Sequence, residues 1–165
     1  MENEYLDIVD DEDHIVNAAL YQDVYKNLSP HRVVHILIFN KKGDLLLQLR
    51  AKHRNFAPLH WSTSVGGHVR SGETYKQAAI REAKEELGIL PRITKVYKDR
   101  YMDTKGHIKF LTTYKAVDTG YTFTVDPEEV ERVEYKNLQE IRRMQGSGIL
   151  FHPELTFLLK KHFHL

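Results

Sequence analysis

The chain contains no cysteine, which excludes a disulfide framework, thiolate metal sites and a thiol nucleophile. Long apolar runs are missing too: none approaches the ~18 residues that a membrane-spanning helix needs. The opening stretch MENEYLDIVDDEDH lacks the basic, apolar and small-residue order of a secretory signal, so a cytoplasmic protein is the expectation. Net charge is only +1, yet it is unevenly spread. Residues 1–14 carry seven acids (Glu2, Glu4, Asp7, Asp10, Asp11, Glu12, Asp13) and no Lys or Arg, leaving 24 basic against 16 acidic residues in the remainder. A basic body suits a phosphate-bearing small molecule, while no RNP, zinc-finger or arginine-rich motif argues for nucleic acid. Repeats, low-complexity tracts and linkers are absent. The 165 residues therefore read as one domain, with a hairpin and short helix over 1–30 and a core over 31–165.

What is present is strand-rich. EYLDIV and HIVNAAL flank the turn-like DDED and read as an N-terminal hairpin, followed by a short helix at YQDVYKN. RVVHILIFN and LLLQLR are apolar runs separated by Lys41-Lys42-Gly43-Asp44, a hairpin loop. HWSTSV reads as a short strand, with Trp61 in the core, leading into a loop at Gly66-Gly67. Thr74 to Leu87 reads as a helix, with Thr74 and Gln77 as a capping box and Gly88 and Pro91 as stops. RITKVYKDRYMD and HIKFLTTYKAV are divided by TKG; a last strand VERVEYK precedes helices at LQEIRRM and PELTFLLKKHF, with a frayed end at Lys160–Leu165. The class is α/β.

One turn of the Thr74–Leu87 helix holds Glu82, Glu85 and Glu86. Neighbouring like charges on a helix cost about 0.2–0.5 kcal/mol per pair, and anions near the C-terminal end oppose the helix dipole. At 100° per residue, Glu85 and Glu86 fall within about 60° of Glu82, on opposite sides of it. Ile80, Ala83 and Leu87 form a separate packing stripe roughly 120–140° away. Three carboxylates presented at one point suit a hard divalent cation; a solvated acidic face, offset by Arg81 and Lys84, is the simpler alternative.

The surrounding residues resemble a known pattern. Gly67, five residues, Glu73, seven residues, then Arg81-Glu82-Ala83-Lys84-Glu85-Glu86-Leu87-Gly88-Ile89 match the box of the Nudix hydrolase family. The resemblance implies an α/β/α sandwich with a mixed sheet, and metal-dependent hydrolysis of a nucleoside diphosphate linked to another group. It implies Mg²⁺ or Mn²⁺ held by Glu82, Glu85, Glu86 and the Gly67 carbonyl, with Arg81 and Glu73 paired to hold the loop. A small-molecule diphosphate is the implied partner, and a homodimer is compatible with the family. A Nudix-fold binding or regulatory module without turnover is the rival reading.

HRVVHILIFNKKGDLLLQLRAKHRNFAPLHWSTSVGGH and the leading hairpin also look like the isopentenyl-diphosphate-isomerase branch. That reaction needs a cysteine, and this chain has Gly66 in its place, so isomerisation is rejected. His31 and His68 match that branch's metal-binding histidines; they could take a second metal or a phosphate, or fill structural positions. Arg50 ends a strand and could clamp a diphosphate, and Arg70 lies in the box loop. In Asp126-Pro127-Glu128-Glu129, Glu129 or Glu128 could serve as base or metal ligand, with Glu85 the other candidate base.

Overall fold

The acidic turn forms as expected. In the computed structural model, strands β1 (Tyr5–Val9) and β2 (Ile15–Leu20) pair antiparallel around it. The structure describes residues 3–165; Met1 and Glu2, part of the acidic run, lie outside the described residues. Asp10 Oδ1 accepts the backbone N–H groups of Glu12 and His14, both at 2.9 Å, which closes the turn on a side chain. Helix α1 (Tyr21–Lys26) follows.

The main sheet contains β3 (His31–Phe39), β4 (Leu45–Arg50), β5 (Trp61–Ser62), β6 (Val65–His68), β7 (Thr94–Met102), β8 (Ile108–Val117) and β9 (Val130–Lys136). Its order is β5-β4-β3-β8-β7, with β6 also on β3 and β9 also on β4. The β3–β8 pairing is parallel and the other pairings are antiparallel, so the sheet is mixed. β3 and β4 pair only at Phe39 and Leu45; beyond that point β6 takes the edge of β3 while β5 and β9 continue β4. The sheet divides there, and the candidate site lies along the division.

Strand alternation sends side chains to two cores. Val34, Ile36, Ile38 and Leu46 pack on Ala78, Ala79, Ala83 and Leu87 of helix α2 (Tyr75–Leu87). Leu37, Leu45, Leu47, Leu49 and Trp61 pack on Ile141 of α3 (Leu138–Gly146) and on Leu155 and Leu159 of α4 (Pro153–Phe163). Helices thus cover both faces, the expected α/β/α sandwich with an N-terminal hairpin. Among the described residues no helix is long and apolar enough to cross a membrane.

Two expectations need correction. Gly66 and Gly67 are not a loop: they lie in β6, opposite His35 and Val34 of β3. HWSTSV is interrupted at Thr63-Ser64, where the Ser64 hydroxyl donates to Leu46 O (2.6 Å) and accepts from Ile38 N (2.8 Å), replacing ladder bonds by side-chain ones. Nor does the C-terminal tail fray. Phe163 and Leu165 pack on the second core. His162 donates to Asp99 Oδ2 at 2.8 Å, Lys161 pairs with Oδ1 at 2.6 Å, and the Tyr97 ring stacks on His162 at 3.6 Å. A local reading sees a charged helix end; the partners arrive from β7.

The hairpin is fastened by Asp13, which adopts a left-handed backbone (φ 65°) and turns its carboxylate inward. Arg32 Nε and Lys98 Nζ each lie 2.6 Å from it, and the Tyr75 hydroxyl donates at 2.9 Å. Burial alone would raise the Asp13 pKa, but the hydrogen bonds from Lys98, Arg32 and Tyr75 outweigh it and hold the carboxyl below its ordinary 3.8. A depressed folded pKa contributes stability that is present above the ordinary value and lost as pH falls through the folded one. Asp13→Asn, which tolerates the left-handed backbone, should therefore lower stability by about 1.5–3 kcal/mol at neutral pH. Urea melts should show the gap between wild type and variant narrowing as pH falls below about 4.

Candidate active site

Helix α2 begins at a complete capping box, with the Thr74 side chain accepting from Gln77 N and the Gln77 side chain accepting from Thr74 N. It ends at Gly88, left-handed at φ 67° as a helix C-terminus favours. Its buried stripe is Ala78, Ala79, Ala83, Glu86 and Leu87. Ile80, expected there, is only half-buried, because small alanines let this helix approach the sheet where a larger side chain would hold it off. The three glutamates do not share one exposure: Glu86 is buried, Glu82 nearly so, and Glu85 remains half-exposed.

The approach is closest at Gly67. A Cβ built there would lie 2.2 Å from Glu82 Cδ, so only glycine accommodates this carboxylate against the strand. Glu86 reaches the neighbouring residue, its Oε2 accepting from Gly66 N at 3.3 Å and from Gln48 Nε2 at 2.8 Å. Two desolvated carboxylates therefore lie against the Gly66-Gly67 backbone. Gly66 is less tightly confined, a Cβ there meeting His35 Nδ1 at 2.9 Å.

Arg81 organises the remaining charges. Its Nε and Nη2 donate to Glu73 Oε1 (2.7 Å) and Oε2 (2.9 Å), a two-pronged pairing. Nη2 also donates to His68 O at 2.9 Å, and Nη1 to Glu82 Oε1 at 2.6 Å and Glu85 Oε2 at 3.2 Å. Burial pushes the Glu82 carboxyl up to about 7 despite Arg81 beside it, with Glu85 adding to the rise. Burial, then the charge of Glu82, raises Glu86 well above its ordinary value against the opposing bond from Gln48. Among the described residues no three acidic or histidine side chains already converge on an ion-sized point, because Arg81 draws Glu82 and Glu85 to itself. The donor set nevertheless fits a hard divalent cation: carboxylate and backbone oxygens, carrying negative charge that burial leaves undercompensated. Both bonds to Glu86 fall on Oε2.

The other expected residues fall into three groups. Glu129 comes to the site: its charge acts on Glu86, and Arg54 Nη1 lies 2.5 Å from Glu129 Oε1. Burial raises its pKa in spite of Arg54 and Arg50. Glu128 instead is exposed and pairs with His53. Arg50 commits Nη2 to Phe56 O (2.9 Å) and Nε to Ala57 O (3.1 Å), shaping the following loop, although its charge faces Glu86 and Glu129. Arg70 pairs with Glu4 of the hairpin and lies 3.6 Å from Glu85, at the outer margin. His68 Nε2 accepts from the Tyr25 hydroxyl at 2.7 Å, and burial, aided by Lys109, holds its pKa down at about 3. His31 is buried beside it, rings 5.5 Å apart, with Nδ1 donating to Ser29 O and Nε2 unpartnered.

Sequence reading missed Gln48, Arg54, Tyr25, Lys109 and Glu154. Gln48 had a signal, a lone amide interrupting LLLQLR. Arg54 carries no local signal, because its partner Glu129 lies 75 positions away.

The NUDIX domain family pattern matches residues 29–157. The chain is 36% identical to an uncharacterised Nudix hydrolase of Listeria innocua, over 72% of this chain and 70% of that protein. It is 35% identical to another from Listeria monocytogenes, over 82% and 78%. Among solved structures, that of DR0079 from Deinococcus radiodurans superposes with a TM-score of 0.84, at 26% identity, covering 96% of this chain and 98% of that one.

The contact at Gly67 is testable without assaying activity. Gly67→Ala should destabilise the fold by about 1–3 kcal/mol through overpacking. Glu82→Ala in the same chain should recover most of that loss. A double-mutant cycle by thermal melts reads the coupling; additive losses would contradict the close approach.

Proposed function

The chain belongs to the Nudix hydrolase family, and from that premise we propose that it is a cytoplasmic, Mg²⁺- or Mn²⁺-dependent enzyme that cleaves a nucleoside diphosphate linked to another group by water attack on phosphorus. In this reading residues 1–165 act as one domain, taking a small-molecule diphosphate as monomer or homodimer. The observation that carries it is the pair of desolvated carboxylates, Glu82 and Glu86, set side by side against a glycine backbone. Such an arrangement opposes folding unless positive charge offsets it, and Arg81 supplies only part of that charge.

Glu82, Glu85, Glu86 and the Gly67 carbonyl would hold the cation. When bound, it supplies Lewis acidity toward a phosphoryl oxygen and makes water more acidic. Arg81, fixed by Glu73, keeps α2 in register with β6 through His68 O. Glu129 and Glu85 are the carboxylates available to take a proton from the attacking water; Glu129 faces Glu86 and Glu85 is the more open to solvent. Arg50 and Arg54 carry positive charge on the Glu86–Glu129 side and suit an incoming diphosphate. Arg70 and His68 border the opposite side. One of the structural neighbours, the NUDIX domain of Shewanella oneidensis NrtR, was solved with ADP ribose (15% identity, TM-score 0.64); at that identity the likeness speaks for the fold alone.

The test is product release from a panel of nucleotide sugars, dinucleotides, nucleoside triphosphates, coenzyme A and isoprenoid diphosphates. Turnover should require Mg²⁺ or Mn²⁺, vanish with chelator, and fall at least ~100-fold in Glu85→Gln or Glu129→Gln, whichever residue is the base. A parallel Glu86→Gln should weaken the metal requirement itself, read as a higher Mg²⁺ concentration at half-maximal rate. Nucleotide binding that ignores metal, with no turnover of any compound, would replace the hydrolase by a binding module.

A further inference from the structure

Glu154 is a buried carboxylate to which the chemistry above assigns no part. Near the start of α4, its side chain is 5% exposed, and each oxygen has its own basic partner. Oε2 accepts from His35 Nε2 at 2.9 Å and Oε1 from Lys109 Nζ at 2.8 Å. Both partners continue toward β6. The His35 ring lies against Gly66, where a Cβ would touch it. His35 Nδ1 is hydrogen-bonded to Thr63 Oγ1 at 2.8 Å, and that hydroxyl lies 3.0 Å from Val65 O. Lys109 lies beside Tyr25, its ammonium over the ring and 5.5 Å from its centre. Tyr25 in turn donates to His68 Nε2 at 2.7 Å.

One carboxylate is thus joined by two arms to the residues on either side of Gly67, through His35 to Gly66 and through Lys109 and Tyr25 to His68. We propose that Glu154 is a positioning residue for the hydrolytic site, holding the Gly66–His68 strand so that the Gly67 carbonyl faces the Glu82 and Glu86 carboxylates. The inference rests on the reading of Gly67 as a cation ligand.

The geometry favours positioning over simple neutralisation. Glu154 could balance Lys109 without His35, and His35 could be balanced without contacting Gly66. Instead both arms end on the same strand, β6. That strand is short, four residues, and Gly66 and Gly67 bring no side chain to pack, so Val65 alone ties it to the apolar core. Groups that orient ligands from behind typically change metal affinity or activity 10–100-fold when removed.

The experiment compares wild type with Glu154→Gln, which keeps the shape and removes the charge. Tyr25→Phe, which cuts one arm at a hydroxyl, and Leu159→Ala, which loosens α4 in its apolar core, complete the set. Manganese affinity is measured by electron paramagnetic resonance on protein without substrate, beside kcat, KM and melting temperature. Glu154→Gln and Tyr25→Phe should weaken Mn²⁺ binding and lower kcat about 10–100-fold, with KM changed less than threefold. Leu159→Ala should melt earlier yet bind Mn²⁺ within twofold of wild type. Folded Glu154→Gln with wild-type Mn²⁺ affinity and kcat overturns the proposal, as does a loss of affinity in Leu159→Ala equal to that in Glu154→Gln. If Glu154→Gln does not fold, Tyr25→Phe decides alone. Wild-type protein that neither binds Mn²⁺ nor turns over substrate overturns the hydrolase reading instead. Backbone amide shifts of Gly66, Gly67 and His68 then test the arms directly: they should move in Glu154→Gln and stay in Leu159→Ala, and the reverse would overturn the grip.

Discussion

Helix α2 lies so close to β6 that the Glu82 carboxylate occupies the volume a side chain at Gly67 would need. Much else follows from that contact. The stripe facing the sheet is alanine-rich because larger residues would hold the helix away. The carboxylates beside it are desolvated, which raises their proton affinity and makes them seek cations. Arg81 answers part of that demand and ties the helix to Glu73 and the His68 carbonyl. A helix held further from the strand would leave Glu82 and Glu86 more solvated and lower their demand for a cation.

The sheet serves two different interiors. On one face of β3, Val34, Ile36 and Ile38 meet α2 in a wholly apolar contact. On the other, Leu37 joins the apolar cluster with α3 and α4, while His35 and His31 extend the same row into a polar interior with Lys109, Glu154, Tyr25 and His68. Those polar groups are nearly all satisfied by one another, the orphan His31 Nε2 being an exception together with the Thr113 hydroxyl. The apolar half supplies burial; the polar half fixes orientation, because hydrogen bonds are directional and hydrophobic contacts are not.

What was legible in the sequence was local. The capping box at Thr74 and Gln77, the left-handed Gly88, the DDED turn and the alternating strands all rest on residues a few positions apart. The glutamate cluster and its glycine were legible as a pattern. Their physical relation was not, because Gly67 reads as a turn residue until β3 is seen to pair with it. Unequal burial of Glu82, Glu85 and Glu86 was hidden for a similar reason: it depends on the roll of the helix against the sheet, and the stripe of Ile80, Ala83 and Leu87 holds at Ala83 and Leu87 but not at Ile80. Glu154 and Lys109 read as ordinary charges near a helix start and in a strand, since 45 positions separate them. Partnership across such distances leaves no mark on either neighbourhood.

The parallel pairing of β3 with β8 and the return of α4 to His35 bear on the order in which the fold can be assembled. Residues 31–39 must wait for residues 109–117 before they have a parallel neighbour, and His35 waits for Glu154, 119 positions later. Contacts this far apart carry a large loop-closure entropy and slow the final step of folding. On a ribosome, the glycine strand, the glutamate helix and the hairpin all emerge well before the carboxylate that binds His35 and Lys109. Until α4 docks, a growing chain holds every residue of the Nudix box while the interior behind it still has unmatched basic groups.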